Sequence, residues 1–534
     1  MIRISQLRLP LDHAEAELEA AVRRRLGLGP GAPLELTVFR RSHDARKKQS
    51  IVLVYTVDVD TPDAAAILTR MKKDPEVSET PDMGYRFVAN AAGRTIEPRP
   101  VVIGMGPCGL FAALILAQMG LRPIVLERGK KVRERTADTF GFWRTGALDP
   151  ESNVQFGEGG AGTFSDGKLY SQVRDPRHLG RKVLTELVEA GAPSEILWSS
   201  KPHIGTFRLV KLVENIRAKI EALGGEMRFG ARVIRLHLDE GRVRGVFLAG
   251  GEEIPADQVV LAVGHSARDT FEMLLAAGVR IEPKPFSIGF RIEHPQSLID
   301  RSRFGDHAGH PRLGAGDYKL AHHCSNGRSV YSFCMCPGGT VVAAASEPGR
   351  VVTNGMSQYA RKESNANAGI VVGITPADYP GDPLAGIAFQ RELESRAFLL
   401  GGGDYKAPVQ RVEDFLRRRP SSSLGDVIPS YTPGVTPTEL DSSLPEWAIA
   451  AIREAIPAFD RKLSGFAMGD AILTGVETRT SSPIRIPRHE ESLQSVSTPG
   501  LFPAGEGAGF AGGILSSAID GIRVAEAVAI DILG

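Results

Sequence analysis

Polar and apolar positions alternate with a period of two over Ile2–Leu9, Leu34–Arg41 and Ile51–Val59, as in strands with one buried face. Between them, Ala14–Leu26 carries Leu18, Ala21, Val22 and Leu26 at helical spacing, and Asp63–Lys73 reads as a second helix. With Tyr85–Val88 as a closing strand, residues 1–90 follow the β-α-β-β-α-β order of a ferredoxin-like module. Ala91–Pro100, ending Pro-Arg-Pro, is a linker. Beyond it the pattern changes. Val101–Ile103 and Ile124–Leu126 are short, continuously apolar runs, as expected of parallel strands covered on both faces, with a largely apolar helix over Leu110–Met119 between them.

The first of these strands meets the helix through Gly104-Met105-Gly106-Pro107-Cys108-Gly109. Gly104 permits a tight turn, Gly106 lets a pyrophosphate approach the backbone, and Gly109 lets helix and strand pack closely. Helix N–H groups and the positive end of the dipole then face the phosphates. The second strand ends in Glu127-Arg128, and Glu127 stands eighteen residues after Gly109, where a carboxylate can accept both ribose hydroxyls. This is a dinucleotide site. A second element, Gly500–Glu506, is again a short apolar strand ending in glycine and an acid. After Gly512-Gly513 comes the helical run Ile514–Leu533. A plain NAD domain needs no such distant element, whereas FAD, a longer cofactor, does. Gly505-Glu506 supplies a ribityl-hydroxyl acceptor, and the helix opening at Gly513-Ile514 aims its dipole at the N1/O2 edge of the ring. Ala256–Gly264 adds a third strand-then-glycine element of the kind that crosses under the adenosine, and Val233 opens a strand of the same region.

These patterns predict an α/β, Rossmann-like FAD-binding domain over 99–283 and 465–534, interrupted by an α+β substrate or cap domain over 284–464. The glycine-rich loop 157–168 has no GK[ST] ending and is no Walker A loop. Its Gly160, Gly162, Ser165, Gly167 and Lys168 are candidates to line the pyrophosphate or the flavin. In the insertion, Ser329–Cys336 and Thr340–Ser346 flank Pro337-Gly338-Gly339 and predict a β-hairpin.

Three of the four cysteines, Cys324, Cys334 and Cys336, fall within thirteen residues beside His322 and His323. Zinc and iron–sulfur centres need four ligands, usually in C-x₂₋₄-C pairs, and C-x₉-C-x-C fits none of these; no metal is expected. A dithiol relay is conceivable, although two residues apart on one strand is near the limit for an unstrained disulfide. The plainer reading is that soft side chains on one strand face line a cavity. Strand alternation would put Cys334 and Cys336 on the same side, roofing the substrate site, with His322 or His323 as proton donor. Those four are the catalytic candidates.

GMGPCGLFAALILAQMG (104–120), DPESNVQFGEGGAGTFSDGKL (149–169), KPHIGT (201–206), YSFCMCPGG (331–339), NGMS (354–357) and GEGAGFAGGILSSAIDG (505–521) carry a resemblance over almost the whole length. The chain resembles the uncharacterised bacterial FAD-dependent dehydrogenases (NAD(FAD)-utilising dehydrogenase-like proteins) of the two-part FAD flavoprotein superfamily. The resemblance implies FAD and a redox role, and supplies no substrate. The expected activity is hydride transfer between a small organic molecule and flavin N5. Without a second strand-GxGxxG-helix unit, NAD(P)H would act only as a transient reductant at the flavin face.

Composition narrows the classes. The chain has 534 residues, 42% hydrophobic and 24% charged, enough for two or three domains. A net charge of +1 gives no bias towards nucleic acid or membranes. No apolar run reaches the length of a bilayer span. Four cysteines, with no secretory segment after Met1, point to the cytoplasm. Arg40, Arg41, Arg46, Lys47 and Lys48 cluster in one loop of the N-terminal module. They keep alive a tRNA-modifying flavoenzyme, but without an RNP-type aromatic run they read as a solvated hairpin tip. A non-catalytic flavin-binding protein is the remaining alternative, and it would seal the ring from any cavity.

Overall fold

The computed structural model describes all of residues 1–534. The first unit is an antiparallel sheet in the order Glu35–Asp44, Val52–Asp60, Ile2–Pro10, Val77–Glu79, with helices Glu15–Leu26 and Ala64–Arg70 in the connections. Its closing strand is Val77–Glu79, paired with Ile2–Ile4, and not Tyr85–Val88. The latter segment lies outside the sheet: the Tyr85 hydroxyl donates to Glu526 Oε1 on the C-terminal helix, and Lys182 sits over the Tyr85 and Phe87 rings. Cation–ring and hydroxyl contacts hold a segment that the sheet does not.

The nucleotide unit is built on five parallel strands in the order Leu501–Pro503, Val259–Leu261, Val101–Ile103, Ile124–Leu126, Glu226–Arg228. The first four are buried at every residue, which parallel strands with both faces covered require. The helix Pro107–Gln118 is apolar all round because it lies between the sheet and the helix Ile514–Leu533. Two glycines set these distances. A Cβ on Gly109 would fall 1.9 Å from the Gly104 carbonyl oxygen, and one on Gly521 would fall 2.2 Å from that of Cys108.

The third unit centres on a seven-stranded sheet ordered Ala321–His323, Ser329–Cys336, Asn365–Ile374, Phe286–Pro295, Ile472–Glu477, Ala407–Arg411, Val435–Pro437. Ile472–Glu477 therefore belongs to this sheet, and the chain rejoins the parallel sheet only at Leu501–Pro503. The expected hairpin does not form. Ser329–Cys336 has both edges taken, by Ala321–His323 and by Asn365–Ile374, so Gly339–Ala343 pairs instead with Thr353–Ser357. Strand alternation also fails at the cysteines. Cys334 has φ +40°, and the register shifts between Phe333 and Cys336. Cys334 is consequently half-exposed, while Cys336 is fully buried.

The N-terminal unit is not hung on a free tether. Its core includes Phe304 and Leu313 from the third unit, and Arg312 Nη1 donates to the carbonyls of Leu11 and His13. Phe304 is 1% exposed, so Phe304→Ala should lose about 3–5 kcal/mol of packing. The expected result is a lower thermal midpoint and faster tryptic cleavage between residues 83 and 98; unchanged proteolysis would mean the two units are not coupled through this ring.

Candidate active site

One cavity of about 1000 Å³ runs through the nucleotide unit and into the third unit. The strand ends, the glycine turn and the N-terminus of the Pro107–Gln118 helix line it with Gly104, Gly106 and Pro107. Gly109 and Gly505 stand behind the wall. Gly109 packs on the Gly104 carbonyl, and a Cβ on Gly505 would fall 2.9 Å from Cys108 Cβ.

Glu127, Arg128, Val233 and Gly264 line the cavity together. Glu127 is 5% exposed, and its carboxylate accepts three backbone N–H groups: Met105 on Oε2 at 2.9 Å, and Gly129 and Gly157 on Oε1 at 2.9 and 3.0 Å. One carboxylate thus ties the glycine turn to the 157–168 loop, and one oxygen keeps capacity for a further donor. Arg128 is fixed by carboxylates of Glu151 and Asp269 and by the Phe156 ring 4.2 Å away.

The 157–168 loop faces the turn. A Cβ on Gly160 would fall 2.7 Å from Gly106 Cα, so two bare backbones meet across a cradle that side chains would fill. Gly160, Gly162, Ser165, Gly167 and Lys168 all line the cavity, and Lys168 Nζ donates to the Met335 carbonyl, joining the loop to the third unit's sheet. On the C-terminal side, Glu506, Gly513 and Ile514 line it, the last two at the start of the Ile514–Leu533 helix. No donor of the chain bonds the Glu506 side chain. Burial pushes its carboxyl up to about 7, against relief from Lys284. Two helix N-termini, a bare glycine cradle and two acids with acceptor capacity fit a long dinucleotide with ribose, pyrophosphate and ribityl groups.

The third unit contributes Tyr331–Met335, Asn354 and Arg479. Cys334 is on the wall, whereas Cys336 is behind it, with its Sγ donating to the Cys334 carbonyl at 3.3 Å. All four thiols are free. The Cys336 thiol beside it, then the charges of Lys168 and Arg291, hold the Cys334 thiol well below its ordinary range. Arg291 is fully buried, paired with Glu477, and donates to the Cys334 carbonyl at 2.7 Å. The structure does not bring His322 and His323 to the cavity. They sit on the sheet's edge strand, where His322 Nε2 meets Glu454 at 3.2 Å and His323 Nδ1 meets Ser329 Oγ at 2.8 Å. A proton donor on the cavity must come from elsewhere.

Sequence reasoning had no route to Arg479. Its guanidinium is 4% exposed, bonds Glu394, Ser266 and Ser346, and reaches the wall from a segment without a nucleotide-binding glycine pattern or helical signal.

Residues 100–316 match the family described as FAD dependent oxidoreductase, and residues 285–480 match "FAD-dependent protein, C-terminal domain-like". Residues 1–60 match a domain of unknown function. The chain is an FAD-dependent oxidoreductase. It is 48% identical to an uncharacterised protein of Clostridium beijerinckii over 527 residues, 98% of each chain, and belongs to the same family of FAD-dependent dehydrogenases. Among solved structures it is similar to 3-ketosteroid-delta4-(5alpha)-dehydrogenase from Rhodococcus jostii RHA1, at 14% identity and TM-score 0.33, covering 84% of this chain and 99% of that one. A geranylgeranyl bacteriochlorophyll reductase-like protein from Thermoplasma acidophilum matches at 13% identity and TM-score 0.34, covering 81% and 78%. At TM-scores below 0.5 neither likeness bears on substrate or mechanism.

Two tests follow from the geometry. Glu127→Ala strands three amide donors and removes a charged acceptor, so FAD should bind roughly 10- to 100-fold more weakly, about 1.5–3 kcal/mol, by equilibrium dialysis. An unchanged dissociation constant would separate Glu127 from the cofactor. Glu506 rises from 4.5 to about 7 on folding, so the folded apoprotein holds an extra proton between those values. Its contribution to stability is present below about pH 4.5 and is lost as pH climbs to about 7. Glu506→Gln should flatten that part of the apoprotein's melting-point-against-pH curve; an identical slope would refute the assignment.

Proposed function

We propose that this oxidoreductase acts on a small organic molecule that enters the cavity from the side of the third unit. The observation that carries the reading is the continuity of one cavity from Glu127 to Tyr331–Met335. A sealed, non-catalytic flavin protein would have no such space beyond the cofactor residues. In this reading Glu127, Arg128, Val233 and Gly264 hold the adenosine end, the Gly104–Gly109 turn and Gly160–Lys168 the pyrophosphate and ring, and Glu506 with Gly513-Ile514 the ribityl end. FAD supplies hydride exchange with the substrate. Cys334, with its carbonyl fixed by Arg291, presents a sulfur of thiolate character to the cavity, where it can orient the substrate or act on it directly. The aromatic and apolar wall of Tyr331, Phe333 and Met335 excludes water.

The finer parts of the proposal are these. Residues 1–90 form a ferredoxin-like module, supported by its element and strand order. The FAD-binding parts are 99–283 and the C-terminal segment, with the substrate domain between them. NAD(P)H serves as a transient reductant, and the protein works in the cytoplasm, in keeping with four free thiols. No helix is long and apolar enough to cross a membrane. The tRNA reading gains no support from the basic hairpin, where Arg41 packs inward and Arg40, Arg46, Lys47 and Lys48 are solvent-exposed, as at any solvated hairpin tip. The Arg41 guanidinium lies 4.4 Å from the Trp198 ring, Arg46 pairs with Asp44, and Lys48 lies against Gly305.

Anaerobic mixing of holoprotein with NADH and with NADPH should bleach the flavin with saturable rates, and Cys334→Ser should alter reduction or reoxidation while Cys324→Ser does not. Identical kinetics in the wild type and Cys334→Ser would remove the thiol from the mechanism.

A further inference from the structure

We infer that the substrate carries a carboxylate, received by Arg303 and Lys319 on a basic wall that also holds Lys201 and Lys168. The inference rests on the reading of the cavity as the substrate site. The wall formed by residues 166–168, 170–172, 201, 303, 317–319 and 331–335 holds those four cations against two carboxylates, Asp166 and Asp317. Both acids are already committed. Asp317 pairs with Lys201, and Asp166 is shared by Arg361 and Lys168, which leaves Arg303 and Lys319 as the cations to receive a substrate. Neither Arg303 nor Lys319 has a carboxylate oxygen within 4.0 Å. Arg303 lines the cavity, and a planar carboxylate matches the fork of donors on a guanidinium.

The position of Arg303 is fixed from outside the site. It precedes Phe304, whose ring enters the core of the N-terminal unit and meets His43 edge-on at 5.5 Å between centroids. The module therefore holds one jaw of the wall in place, which gives an otherwise remote domain a part in substrate choice. Tyr331 and Phe333 flank the polar positions, so an aryl or alkyl body attached to the carboxylate has apolar surface to cover.

The test uses the holoprotein and benzoate, with benzamide as its neutral isostere, followed by flavin difference spectra and by calorimetry. Benzoate should perturb the spectrum saturably, benzamide should bind at least about tenfold more weakly, and Arg303→Met should weaken benzoate by about tenfold or more, with partial rescue in Arg303→Lys. Lys319→Ala, at an exposed position, should weaken benzoate without affecting folding. Equal binding of benzoate and benzamide, or no response to benzoate, would overturn the inference. So would an Arg303-dependent response to 2′,5′-ADP alone, which would assign the wall to a nucleotide phosphate. Protein that cannot retain FAD at all would instead refute the cofactor reading beneath it.

Discussion

Everything around the cofactor cradle hangs on one buried carboxylate. Glu127 ends the second strand of the parallel sheet and gathers N–H groups from the glycine turn, from its own following residues and from the distant 157–168 loop. A buried charge survives when it is fully hydrogen-bonded, and three backbone donors provide that. The loop is pinned from the other side by Arg135, fully buried, which donates to the carbonyls of Asn153, Val154 and Glu158. A glycine at 157 leaves room for that side chain: a Cβ there would fall 2.3 Å from Arg135 Cδ. The cradle is thus preorganised by an acid and a base working on backbone groups, with the cofactor-facing surface left bare.

The opposite wall is organised by a second buried pair. Arg291 and Glu477 join neighbouring strands of the seven-stranded sheet, and the guanidinium also holds the Cys334 carbonyl, Asn354 and Asn367. The bulge at Cys334 is the consequence. A non-glycine residue at φ +40° costs energy and persists only where its surroundings determine it. Here the surroundings are a charge-assisted bond to the carbonyl and a second bond from Cys336. The distortion turns one thiol towards the cavity and buries the other.

The elements legible in the sequence were those with local causes. Strand, glycine turn, helix and acid are encoded within thirty residues, and continuous apolar runs announced strands covered on both faces. The Val77–Glu79 strand was not legible: three residues give too little alternation, and aromatic Tyr85–Val88 offered a stronger false signal. The hairpin failed for a non-local reason, since only the full sheet shows that Ser329–Cys336 has no free edge. His322 and His323 looked catalytic by proximity in sequence, but they lie on the outermost strand opposite Val330 and Ser329, and a rise of about 3.3 Å per residue separates those positions from Cys334 and Cys336. Arg479 and Arg291 were beyond reach because their partners lie tens to hundreds of residues away, and Arg303 because no local pattern marks it as a cavity residue.

The last step concerns why such a protein keeps an N-terminal unit that touches no cofactor residue. Its hairpin adds a backbone bridge to the nucleotide side, where Arg41 N–H donates to the Trp198 carbonyl at 2.7 Å and Ser200 N–H to that of Arg41 at 3.0 Å. Its core takes in Phe304 on the substrate side. Lys201 follows the first contact directly and Arg303 precedes the second, so one rigid sheet spans the two sides of the basic wall. Cations held close together repel, and flexible side chains would splay to solvent. Anchoring both backbones to a common sheet keeps the charge where a carboxylate can use it. The module is therefore part of the cavity's electrostatics, although it supplies none of its catalytic atoms.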